Sequence, residues 1–244
     1  MTALTRAATH SRIRSVSAGV AMWALAAGLA LLHESLRARA DDGRGHIDGA
    51  GLERAVFHGE PGAWLQTTFD LAHSPTAHWA TLAVYVAWFP VMPLAALFVF
   101  VRERRHFLPF LTFVFVVVFI GDLCAWLWPV SPPWMEPGVT RLIVRQGQDV
   151  GGADPNPFAA FPSLHAAVPM AAGVYILLRT RERRFGLAMV AFAVATGIAV
   201  VVMGEHWVID VLAGWVIVGA VAIAATFVLK PGPAEPLEGG RARG

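Results

Sequence analysis

Residues Gly204–Leu229 read GEHWVIDVLAGWVIVGAVAIAATFVL, and beyond its first turn the stretch carries one charge, Asp210. An apolar run of this length matches what a helix needs to cross a bilayer core, about 20 residues. The run is headed by the polar cluster Glu205, His206 and Asp210. Five further runs of similar character precede it, roughly Val16–Leu32, Thr81–Val101, Phe107–Val130, Ser163–Leu178 and Phe185–Met203, with Trp207–Leu229 as the last. Asp122, His165 and Asp210 are the acidic, basic or histidine side chains that interrupt them. The sequence therefore predicts an all-α integral membrane bundle of six transmembrane helices.

Composition agrees. Of 244 residues, 56% are hydrophobic and 15% charged, too few charges to cover a soluble surface. A net charge of +2 gives no reason to expect nucleic acid as a partner. The one cysteine, Cys124, excludes an intramolecular disulfide. No internal repeat is visible. We expect residues 1–14 to form an N-terminal segment, 15–230 the membrane domain with its core motifs within 80–230, and the Pro- and Gly-rich 231–244 a disordered tail. The first apolar run has a second reading as a signal peptide, because Ala38-Arg39-Ala40 resembles a cleavage site. That site lies beyond the apolar stretch and is crowded by Arg37 and Arg39, which favours an uncleaved anchor.

Basic residues set the expected orientation. Arg6, Arg12, Arg14, Arg102, Arg104, Arg105, Arg179, Arg181, Arg183, Arg184, Lys230, Arg241 and Arg243 fall on one side, against Arg37, Arg39, Arg44, Arg54, Arg141 and Arg145 on the other. The positive-inside rule places both termini in the cytoplasm and the loops at 33–80, 131–162 and 204–206 outside. In the first of these, Pro61–His73 (PGAWLQTTFDLAH) reads either as a short interfacial helix or as a loop with scattered apolar residues.

With that topology, His165 at the head of the fourth span and His206 with Asp210 at the head of the sixth share one depth on the outer side. His206 and Asp210 stand at i and i+4, on one helix face. A carboxylate there can fix the imidazole tautomer and leave the other nitrogen as nucleophile or base. Pro162 and Ser163 suit a helix start, whose outward N–H groups at Ser163, Leu164 and His165 form an anion site. Pro169 lacks an N–H for the His165 carbonyl, which predicts a kink below the histidine. Such groups near lipid are costly, so function is the default reading. Other readings remain: a structural His–Asp hydrogen bond, part of a zinc site, or a Ser163–His206 hydrolase dyad, for which the sequence lacks a Gly-x-Ser-x-Gly. Asp122 braces a histidine or arginine of the site, or lines a polar cavity. A transporter would be expected to show pseudo-symmetric halves, which are absent, and a non-catalytic scaffold would not need the histidines.

At Pro162-Ser163-Leu164-His165 and at Gly204-x-His206-x-x-x-Asp210 the chain resembles the type 2 phosphatidic acid phosphatase superfamily. The longer strings FAAFPSLHAA (Phe158–Ala167), GEHWVIDVLAG (Gly204–Gly214) and WPVSPPW (Trp128–Trp134) are similar to its branch near the inositol phosphorylceramide synthases. The resemblance covers about residues 80–230, with a vaguer likeness over 52–69. It implies a cofactor-free and metal-free phosphoryl transfer on a lipid phosphate at the extracytoplasmic face of the cell membrane. His206 would be the nucleophile, Asp210 its orienting carboxylate and His165 the general acid. Two family features are missing. The phosphatases' Lys and Arg-Pro clamp is replaced by SPPWMEPG (Ser131–Gly138), and the arginine six residues before the nucleophile is Val200. We therefore expect Ser163, Arg141 and Arg145 to bind the phosphate, and the chemistry to lean toward transfer. The oligomeric state is not legible.

Overall fold

A computed structural model describes residues 3–40, 46–143 and 158–228. Arg145 and the tail 231–244, both subjects of sequence expectations, lie outside the described residues. Among the described residues eight α-helices follow in order: α1 (Ala3–Ala40), α2 (Gly49–Phe57), α3 (Pro61–Thr68), α4 (Pro75–Arg102), α5 (Phe107–Leu127), α6 (Leu164–Arg179), α7 (Arg183–Val202) and α8 (Val208–Val228). No strand occurs among the described residues; the extended links touch through single parallel bridges, Ile47 to Val130 and Val130 to Ala159.

Five of these helices contain stretches long and apolar enough to cross a bilayer, in α1, α4, α5, α7 and α8. The expected fourth span, α6, is shorter at 16 residues. At 1.5 Å per residue it reaches about 24 Å, less than the roughly 30 Å hydrocarbon core. Its composition shows why this is tolerable. Ala166, Ala167, Ala171, Ala172, Gly173, Tyr175 and Ile176 are buried on every side of it, the mark of a helix enclosed by others. α6 forms the axis of the bundle, packed on α5, α7 and α8, and meets protein where the others meet lipid. Its small side chains let those neighbours approach closely.

The helix starts follow from local chemistry. Ser74 caps α4 by accepting from the Ala77 N–H, with Pro75 at the first helical position. Ser163 caps α6 in the same way through Ala166. Pro61–His73 does form a short helix, α3, followed by a 3₁₀ turn at Leu71–His73. α1 runs well past the expected span at both ends.

One end of the bundle is covered by α2, α3 and the links 129–143 and 158–163. Gln66 of α3, almost wholly buried, pins this cover to the bundle: its amide nitrogen donates to the carbonyls of Thr140 and Val202, both at 2.8 Å, and its oxygen accepts from the Thr140 N–H. Trp207 donates its indole N–H to the Ser131 carbonyl at 2.7 Å. The family clamp motif's counterpart, Ser131–Gly138, thus serves as a strap over the head of α8.

Candidate active site

The two polar motifs meet beneath this cover. Gly204 holds a left-handed conformation (φ 76°) that turns the chain out of α7 and aims His206 inward. The Ser163 N–H donates to the Asp210 carbonyl at 2.9 Å, so the heads of α6 and α8 are hydrogen-bonded to each other. Gly214 makes this approach possible, since a Cβ there would stand 2.8 Å from the Ser163 carbonyl oxygen.

His206 is buried, and its Nδ1 lies 2.8 Å from the Ala160 carbonyl oxygen. A carbonyl can only accept, so Nδ1 carries the hydrogen and Nε2 of the neutral ring keeps its lone pair. That Nε2 faces Nδ1 of His165 at 3.4 Å. The His165 ring rests against Tyr85 and Trp88 of α4, with ring centroids 5.0 and 5.4 Å away.

Asp210 stands differently from its expected place. Its Oδ2 is 3.6 Å from His206 Nδ1, within charge-pair range, while the short contact to the ring comes from Ala160. Oδ2 instead accepts from the Trp207 N–H at 2.7 Å, the reach-back of a capping box from the third helical residue. Its Oδ1 is buried with no hydrogen-bond partner among the described residues. A fully buried carboxylate with one oxygen unmatched is costly, unless a positive charge arises beside it.

The remaining N–H groups at the head of α8 are taken. Glu53 of α2, fully buried, accepts from the N–H groups of Val208 and Ile209, each at 3.1 Å. Burial pushes the Glu53 carboxyl above its ordinary value, against the lowering effect of the two N–H bonds, with the charges of Asp210 and Glu60 adding to the rise. Sequence reasoning missed this residue because a lone carboxylate in a short helix carries no signal of a partner 155 residues away.

The anion site expected at the head of α6 is narrower than the sequence suggested. The Ser163 N–H is engaged by Asp210, and its fully buried side chain caps Ala166. Ser163 does not line the cavity, whereas Leu164 and His165, the first two helical residues, do. Their N–H groups have no intrahelical acceptor, by the geometry of a helix start.

Arg141 does line it. It is held by a bidentate ion pair to Glu205, Nε to Oε1 at 2.6 Å and Nη2 to Oε2 at 3.0 Å, and lies over the Trp134 ring. The cavity measures about 190 Å³, and its wall includes His165, His206, Arg141, Glu205 and, from α1 and α5, His33, Arg37 and Asp122. His33 was assigned no role from sequence. Here its Nδ1 contacts both oxygens of Asp122 at 2.9 Å, so Asp122 both braces a histidine and lines the cavity, the two alternatives its sequence position offered. Val200, where the family carries arginine, is fully buried, and its carbonyl accepts the N–H groups of Glu205 and His206.

The arrangement offers one imidazole lone pair as nucleophile, a second imidazole within proton-transfer reach, and a buried carboxylate beside the first ring. A family model described as PAP2 superfamily matches residues 51–224. Among curated proteins, the chain is similar to a phosphoinositol dihydroceramide synthase of Bacteroides thetaiotaomicron, 32% identical over 198 residues, which is 69% of this chain and 64% of that one. It is also similar to an undecaprenyl-diphosphatase of Sulfolobus acidocaldarius, 23% identical over 151 residues, covering 62% and 68% of the two chains. The chain therefore spans somewhat under two thirds of the synthase's length. No solved structure matches.

Proposed function

The chain belongs to the PAP2 superfamily, and we propose from this that it is a multi-pass membrane enzyme that cleaves or transfers a lipid-linked phosphate at the extracytoplasmic face. The observation that carries the reading is the facing pair of nitrogens, His206 Nε2 and His165 Nδ1, with the other nitrogen of His206 pinned by Ala160.

Phosphorus enters between the two rings. An attacking atom needs an approach of about 3 Å, and a general acid a hydrogen bond of about the same length, so the rings must separate from 3.4 Å to admit it. His206 Nε2 attacks; the bond from phosphorus to the alcohol oxygen breaks with its electron pair, and His165 delivers a proton to that oxygen. The product is a phosphohistidine whose ring has become cationic, with Nδ1–H still donated to Ala160. Asp210, 3.6 Å from that nitrogen and with one oxygen unmatched, balances the new charge. The Leu164 and His165 N–H groups and Arg141 attend the phosphoryl oxygens. Water or a second alcohol then resolves the intermediate.

Transfer between phosphodiesters is favoured over monoester hydrolysis. A monoester approaches two negative charges near neutrality, whereas a diester carries one. In the described wall, Arg37 and Arg141 are balanced by Asp122 and Glu205, and Arg141 is already committed to Glu205. Such a cavity is poorly suited to a dianion. The similarity to a phosphoinositol dihydroceramide synthase points the same way.

The test is incubation of purified, reconstituted protein with lipid phosphates and phosphoinositides, with and without added alcohols. Head-group exchange supports transfer and free phosphate supports hydrolysis. Neither product with any lipid, together with identical behaviour of His206→Ala, rules the reading out.

A further inference from the structure

The wall facing the catalytic histidines carries a second histidine–carboxylate pair, His33 of α1 with Asp122 of α5. We infer that this pair is the proton acceptor for the alcohol that resolves the phosphohistidine, an inference that rests on the route proposed above. Both Asp122 oxygens lie 2.9 Å from His33 Nδ1. A carboxylate oxygen accepts, so Nδ1 holds the hydrogen and, in the neutral ring, Nε2 carries the lone pair. Glu34 Oε1 lies 4.0 Å from that Nε2, too far for a hydrogen bond. An imidazole fixed in this tautomer is built to receive a hydroxyl proton.

Placement supports the role. α1 and α5 both end at the covered end of the bundle, where α6 and α8 begin, so the pair sits at the level of His165 and His206 and lines the same cavity. Arg37, one turn after His33 and on the same helix face, lines it too. A second, apolar cavity of about 350 Å³ between α1, α4 and α5 shares His33, Trp88 and Leu164 with the catalytic one. A hydroxyl attached to a hydrocarbon tail, arriving from the bilayer through that groove, meets His33 first. His165, by contrast, is enclosed by Tyr85 and Trp88 and aimed at His206. His33 also lies outside residues 51–224, the part shared with the superfamily.

The step balances. The alcohol oxygen bonds to phosphorus, the bond from phosphorus to His206 Nε2 breaks with its pair returning to that nitrogen, and the hydroxyl proton passes to His33 Nε2, leaving a cation stabilised by Asp122.

The experiment uses the full chain reconstituted in vesicles containing ³²P-phosphatidylinositol, with hexadecanol as acceptor. It follows acid-labile ³²P on the protein and ³²P transferred to the alcohol. His33→Ala and Asp122→Asn should still become labelled while transfer slows by about 10² or more, and free imidazole should restore transfer to His33→Ala. A purely structural histidine would give no imidazole rescue. Transfer by His33→Ala at the unsubstituted rate overturns the inference, as does parallel loss of labelling and transfer without rescue. His206→Ala separates the two layers: undiminished labelling there removes the phosphohistidine route itself, and this inference with it, whatever His33 does.

Discussion

The hydrogen on His206 Nδ1 goes to a backbone carbonyl, at 2.8 Å from Ala160, and Asp210 acts on the ring from 3.6 Å. Tautomer and charge compensation are thereby divided between two groups. Asp210→Asn keeps an oxygen for the Trp207 N–H and removes only the charge. Its turnover should fall by roughly 10²-fold, the scale of losing one preorganised electrostatic partner, while its melting temperature stays close to that of the unsubstituted chain. Asp210→Ala loses the cap as well and should melt lower. His165→Ala should reduce kcat by about 10²–10⁴ yet leave lipid binding intact, as measured by vesicle-bound substrate retention. If Asp210→Asn were as active as the unsubstituted enzyme, the charge-compensating role would be lost and only the cap would remain.

The head of α8 is built by partners distant in sequence, and Glu53, which accepts two of its N–H groups, is one of them. Removing it in Glu53→Ala leaves two buried N–H groups without acceptors, at about 1–3 kcal/mol each. We expect a clear fall in melting temperature together with lost activity, because the helix that carries Asp210 loosens. The burial that raises the Glu53 pKa also fixes a pH dependence. The folded chain holds this proton more tightly than the unfolded one, so the contribution is greatest at low pH and declines as pH rises from the ordinary value of 4.5 toward the raised one. The melting-temperature advantage over Glu53→Gln should shrink across that window. α6 offers a cleaner pair. Pro169 denies the His165 carbonyl its helical donor, and the Trp88 indole supplies one instead at 3.1 Å. Trp88→Phe should cost about 1 kcal/mol in the native chain and much less beside Pro169→Ala, a coupling readable in a double-mutant cycle. These contacts mark the limit of what the sequence discloses. The spans, the caps at Ser163 and the shared depth of His165, His206 and Asp210 follow from periodicity and spacing, which are local. Glu53, Gln66 and His33 act through hydrogen bonds to partners far away in the chain, and nothing in their neighbourhoods distinguishes them from surface residues. The enclosure of α6 was hidden for a related reason: its run Ser163–Leu178 is visibly short in the sequence, but hydropathy cannot tell a lipid-facing helix from one enclosed by its own bundle.

Everything proposed about substrate access depends on which side of the membrane the covered end faces. The arginines argue that it faces out, since Arg102, Arg104 and Arg105 around the α4–α5 connection and Arg179, Arg181, Arg183 and Arg184 around the α6–α7 turn lie at the opposite end. The chain allows a direct check because Cys124 is its one thiol and lies inside α5. In a Cys124→Ala background, a cysteine placed at Gly59 would stand in open space, with no neighbour within 4 Å of its Cβ, between α2 and α3. A second at Arg181 would sit in the turn joining α6 to α7. A membrane-impermeant maleimide should label Gly59→Cys in intact cells and Arg181→Cys only after permeabilisation. The converse pattern would put His165 and His206 on the cytoplasmic side and confine the enzyme to donors and acceptors of the inner leaflet. The facing imidazoles would survive that result unchanged, because their geometry is set by α6, α8 and the cover above them; what would change is the pool of lipid alcohols able to reach His33.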